Sequence, residues 1–140
     1  MFKSSLVLFS AAALAACSGS QPTFQTISDK QMQAYIVAAN QAEQCLYPQI
    51  QQMNNQVHAF YESLPINETA FLHTYSDELL KQEIGETAFD NIQRNTQARE
   101  YFEKQFTRLN HSKPTKLNPQ FCAETRLKQR EFLGQYGRVI

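Results

Sequence analysis

Tryptophan is absent from this 140-residue sequence, and glycine occurs only four times. With no Gly-rich stretch, there is no loop of the kind that cradles phosphates. Period-2 alternation of apolar and polar residues is missing, which argues against a sheet. Internal repeats and low-complexity tracts are missing as well. No segment is apolar over the roughly 20 residues that a membrane-spanning helix needs. Nor does one charge sign prevail, since 13 basic residues face 13 acidic ones. That balance argues against a nucleic-acid-binding protein.

What is present begins with an address. Met1-Phe2-Lys3 is a short basic start, and Leu6 to Ala16 is apolar except for Ser10. A basic start, a short hydrophobic stretch and small residues at a cleavage zone read as a secretory signal. Leu14-Ala15-Ala16-Cys17 matches the bacterial lipobox. The resemblance implies that the chain is cut before Cys17, that Cys17 is diacylated, and that the lipid holds the domain at a bilayer. The alternative is an ordinary secreted protein in which Cys17 is incidental. Acyl chains partition at about 0.8 kcal/mol per buried methylene, so two or more of them anchor a soluble domain firmly. Ser18 follows the cysteine, where lipoproteins retained at the inner membrane commonly carry aspartate. By the same resemblance the destination is the outer membrane, facing the periplasm. The expected organisation is a signal peptide over 1–16, a tether over 17–27 with SGSQPTF at its start, and a domain over 28–140.

Removing residues 1–16 from 140 leaves 124, enough for one domain with a real core. Twelve basic residues then oppose 13 acidic ones, a net charge of about −1. The charge is unevenly spread. Gln21–Gln93 holds two basic and nine acidic residues, and the chain from Arg94 onward holds ten basic and four acidic. Either the acidic early helices pack beside the basic late ones, or a basic surface meets anionic headgroups or an acidic partner. With Cys17 taken by lipid, Cys45 and Cys122 remain as an even pair in an oxidising compartment, which implies one disulfide.

Helical spacing runs through the rest. Ser28-Asp29-Lys30-Gln31 fits a capping box ahead of Met32, Tyr35, Ile36, Ala39, Ala42 and Leu46. The pattern predicts a helix over Asp29–Leu46, after which Pro48 either kinks it or opens another. Ile50, Met53, Val57, Phe60 and Leu64 predict a second helix ending before Pro65. Asn67 is expected to cap a third, which carries Phe71, Leu72, Tyr75 and Leu79 and stops at Gly85. A fourth is expected over Thr87–Leu109. Its middle, QRNTQARE (93–100), is nearly all polar, so it is either solvated all round or set against a polar partner. After a loop carrying Pro114, Asn118-Pro119 predicts the start of a last helix with Phe121, Cys122, Thr125, Phe132, Leu133 and Tyr136. The fold class is therefore all-α: a bundle of four or five helices, stapled by Cys45–Cys122.

Candidate chemistry is sparse. His58/Glu62 and His73/Asp77 each place an imidazole and a carboxylate one helical turn apart, a spacing that can hold a metal. All four positions lie beside the apolar seams, so they are read as exposed pairs, and no metal or cofactor is expected. Six serines follow residue 16 (Ser18, Ser20, Ser28, Ser63, Ser76, Ser112), and none sits in a nucleophile elbow. No catalytic residue is nominated. The remaining leads are Tyr47, Arg94, Arg99 and Tyr101, off-seam aromatic and basic residues suited to anchoring a partner.

Size, lipobox, helix count and disulfide together resemble the small helical pilotins of type II secretion, in architecture alone. That resemblance implies an envelope lipoprotein, not an enzyme, which binds a secretion-system component in a helix-lined groove. The alternative is an immunity or inhibitor lipoprotein that binds a periplasmic toxin or hydrolase through an acidic patch over residues 62–90.

Overall fold

The computed structural model describes residues 24–111 and 116–136. Cys17, the lipobox, the first part of the tether, Pro114 and the last four residues lie outside them. The described chain is all-α. Its helices are α1 (Asp29–Leu46), α2 (Val57–Ser63), α3 (Ile66–Ile84), α4 (Glu86–Arg94), α5 (Thr96–Leu109) and α6 (Pro119–Tyr136), with a 3-10 helix at Pro48–Gln52. No helix among the described residues is long and apolar enough to cross a membrane.

α1 forms where its sequence predicts. Ser28 accepts from the Gln31 backbone amide, and the Gln31 side chain accepts from the Ser28 amide. This satisfies two of the amides that a helix start leaves without partners. Met32, Tyr35, Ile36, Ala42 and Cys45 are buried along one stripe. Because α1 packs against α3, α5 and α6, it is the central strut. Ile27, one residue ahead of the expected domain start, is itself buried in the core.

Three expected elements differ. A single helix over Ile50–Leu64 does not form: the 3-10 helix that opens at Pro48 gives way to non-helical backbone at Met53–Gln56. Asn54 and Asn55 lie in that break, and their side chains compete with helical hydrogen bonding. α3 starts at Ile66 directly after Pro65, and Asn67 is inside its first turn with no capping role. The expected fourth helix is two. Asn95 leaves helical geometry, and its side-chain oxygen accepts from the amides of Gln97 and Ala98, capping α5. Arg99 reaches back to the carbonyls of Ile92 and Gln93 at the end of α4. Within the polar run over 93–100, Asn95 and Arg99 thus serve the junction while Gln93, Arg94, Thr96, Gln97 and Glu100 are exposed, and the described bundle has six α-helices.

Cys45 and Cys122 are bonded, their Cα atoms 5.1 Å apart. The bridge ties the end of α1 to the first turn of α6, as the even cysteine pair predicts. Asn118 caps α6 by accepting from Gln120 and Phe121. Phe71, Tyr75, Leu79 and Leu80 of α3 and Phe89 and Ile92 of α4 belong to one core with α1, α3 packing on α1 and α4 on α3 and α5.

A candidate partner-binding groove

α1 packs on α3, and among the residues between them α1 presents alanines at 39 and 42. A cavity of about 320 Å³ remains there. Leu72, Tyr75 and Leu79 of α3 form the facing wall, and Tyr61 of α2 with the following Leu64 forms a third. α2 carries no buried residue of its own, so this wall rests on few contacts. One of them sets Phe60 edge-on against Tyr47, with centroids 5.3 Å apart.

Polar groups in the groove are few. Ser76 meets the Tyr35 hydroxyl at 2.6 Å. Glu43 stands one residue from Ala42, and burial pushes its carboxyl above the ordinary carboxylate range, with the Tyr61 hydroxyl pulling the other way. The Tyr61 phenol is itself raised, first by burial and then by the Glu43 charge. The two groups are near enough to influence each other, yet the buried Tyr61 oxygen has no partner at hydrogen-bonding geometry among the described residues. Thr69 and His73 also line the cavity, so a mainly apolar wall is interrupted by a small set of polar groups, which suits a ligand that is mostly apolar with a polar feature.

The sequence-predicted contact residues are placed differently from one another. Tyr47 is buried and bonded: its hydroxyl donates to Glu68 at 2.9 Å and accepts from Gln129 at 3.2 Å. Burial raises its pKa to about 12, with Glu68 adding to the shift. It joins the end of α1 to α3 and α6. Arg99 is engaged with the α4 carbonyls. Arg94 and Tyr101 are exposed, and the Tyr101 ring also packs edge-on against Phe24. None of the four lines the groove.

His58 and Glu62 pair at 3.0 Å in full view of solvent, and His73 and Asp77 are exposed. Among the described residues no three His, Cys, Asp or Glu side chains gather as metal ligands. Acidic early and basic late segments do meet at two points: Arg108 pairs with Asp29 at 2.6 Å and Lys128 with Glu78 at 3.5 Å.

Sequence reasoning passed over Glu43. A signal was available, because Glu43 lies four residues after Ala39 and seven after Ile36, on the apolar stripe itself. A second cavity, about 260 Å³ between α3 and α6, is lined by Glu78 and Lys128 and so is spanned by their ion pair.

No curated protein and no solved structure matches the chain. A model for a family of unknown function, DUF5358, matches residues 21–138. That match takes in every helix described above, and the chain belongs to this family.

Proposed function

We propose that this protein is an outer-membrane lipoprotein, acylated at Cys17 and facing the periplasm, that works by binding a segment of an envelope protein rather than by catalysis. The observation that carries the reading is the half-open, largely apolar groove between α1, α2 and α3. Its size is at the lower end of ligand sites and suits a few inserted side chains. The lipobox supports the address, and a bonded Cys45–Cys122 pair fits an oxidising compartment. In its most concrete form the role is pilotin-like: the lipid carries a bound secretion-system subunit to the outer membrane.

A pull-down from solubilised envelopes tests this, with Leu72→Ser as the groove-impaired control. Recovery of a secretin by the wild type, lost in Leu72→Ser, is the expected outcome. Mass spectrometry should find the mature chain beginning at an acylated Cys17; an unprocessed N-terminus would overturn the proposed anchor. The second reading, an immunity or inhibitor lipoprotein, draws on the exposed carboxylates Asp77, Glu86 and Asp90 of α3 and α4. Recovery of a secreted toxin that Leu72→Ser still binds would select it.

A further inference from the structure

Glu43 and Tyr61 share the groove with alanines and leucines and, along the α3 side, with Thr69, His73, Tyr75 and Ser76. The two come from different helices, α1 and α2, yet converge on one space. None of the three ion pairs among the described residues uses Glu43. The Tyr61 oxygen is shielded from solvent and has no partner at hydrogen-bonding geometry, with the Glu43 carboxyl close enough to influence it. A partly buried carboxyl outside any ion pair and a buried hydroxyl short of good hydrogen-bonding geometry are both costly, and one incoming group can relieve both. A group that donates two or more hydrogen bonds and carries positive charge serves both. It must also arrive on an apolar stem, because Ala39, Ala42 and Leu72 line the way.

We propose that the segment bound in this groove inserts a lysine or arginine side chain, its methylenes against Ala39, Ala42 and Leu72 and its cation received jointly by Glu43 and Tyr61. The inference rests on the protein-binding reading above. Lysine offers three donors and arginine five, and both bury an apolar stem while delivering charge at the tip. The occupant is a peptide segment, not a free amine, because α3 carries an exposed apolar residue one turn before the lining residue Thr69, on the same side of the helix. Ile66, between the lining residues Leu64 and Thr69 in sequence, is 82% exposed. A large apolar side chain so exposed beside a groove suits coverage by residues flanking the basic one. The occupant therefore reads as a basic residue set among Leu, Ile or Phe.

The test pans a library of random twelve-residue peptides against the full-length protein, purified as its host cells process it. Glu43→Gln, Tyr61→Phe and Leu72→Ser are run beside the wild type, and circular dichroism establishes that each variant folds. Wild-type selection should enrich peptides with Lys or Arg flanked by apolar residues. A synthetic peptide of that kind should bind about tenfold or more weakly to Glu43→Gln, and more weakly to Tyr61→Phe. Exchanging its basic residue for norleucine should weaken wild-type binding similarly and add little in Glu43→Gln. Peptides that Leu72→Ser weakens but that lack a basic residue, or that ignore Glu43→Gln, would overturn the cation subsite and leave the groove reading standing. If no selected peptide is sensitive to Leu72→Ser, both readings fall.

Discussion

Thr125 of α6 has no exposed surface, and its hydroxyl meets that of Tyr75 at 2.9 Å. Thr125→Val keeps the shape and strands the Tyr75 hydroxyl, so urea denaturation should show a loss of about 1–3 kcal/mol. Glu43 acts in the opposite sense. Its folded-state pKa is raised by burial, so the folded protein holds this proton more tightly than the unfolded chain. The resulting stability is complete below the unfolded carboxyl value and is lost as pH rises through the folded one. Glu43→Gln should therefore be more stable than the wild type at neutral pH. The gap should close on acidification below the ordinary carboxylate range, read as urea midpoints across a pH series. A gap that widened in acid would mean that Glu43 is stabilised as the anion.

Helix junctions govern the elements. Asn95 ends α4 and caps α5, and Asn95→Ala should cost about 1 kcal/mol, measured by thermal or urea unfolding. Gly85 separates α3 from α4 at φ +82°, ψ 165°, a region open essentially to glycine alone. A Cβ there would meet nothing within 4 Å, so any cost of Gly85→Ala is backbone strain and not crowding. About 1–3 kcal/mol is expected from the same denaturation measurement. α2 differs from the other described α-helices in burying no residue, and it follows a non-helical break. Its amides should exchange with solvent faster than those of α1 and α3 in native-state hydrogen exchange. An element of low local stability beside the groove is well placed to adjust to an occupant.

At the scale of the molecule, the bridge from Cys45 to Cys122 closes a separation of 77 residues and clamps α6 onto the central helix. On the chain-entropy account its reduction should lower stability by up to about 4–5 kcal/mol, a large share of a typical domain's 5–15 kcal/mol. A reductant should move the urea midpoint of the wild type sharply and leave that of a Cys45→Ala/Cys122→Ala double variant in place. Charge also resolves at this scale. Asp29–Arg108 and Glu78–Lys128 join the acidic first half to the basic second half, so part of the linear asymmetry is spent inside the fold.

The helical class, the span of α1 with its capping box, the Gly85 stop, the Asn118-Pro119 start and the cysteine pairing were all legible in the sequence. Each depends on neighbours within a turn or two, or on the arithmetic of two remaining thiols. The breaks at Asn54–Asn55 and Asn95 were harder to see, because an asparagine serves a helix face and a cap with the same side chain. Which role it takes depends on whether the next apolar stripe can reach the core without a bend. The groove was settled by tertiary structure alone. Two alanines leave space only once α3 and Tyr61 stand opposite them, and a glutamate on an apolar stripe acquires its character only when that stripe is covered.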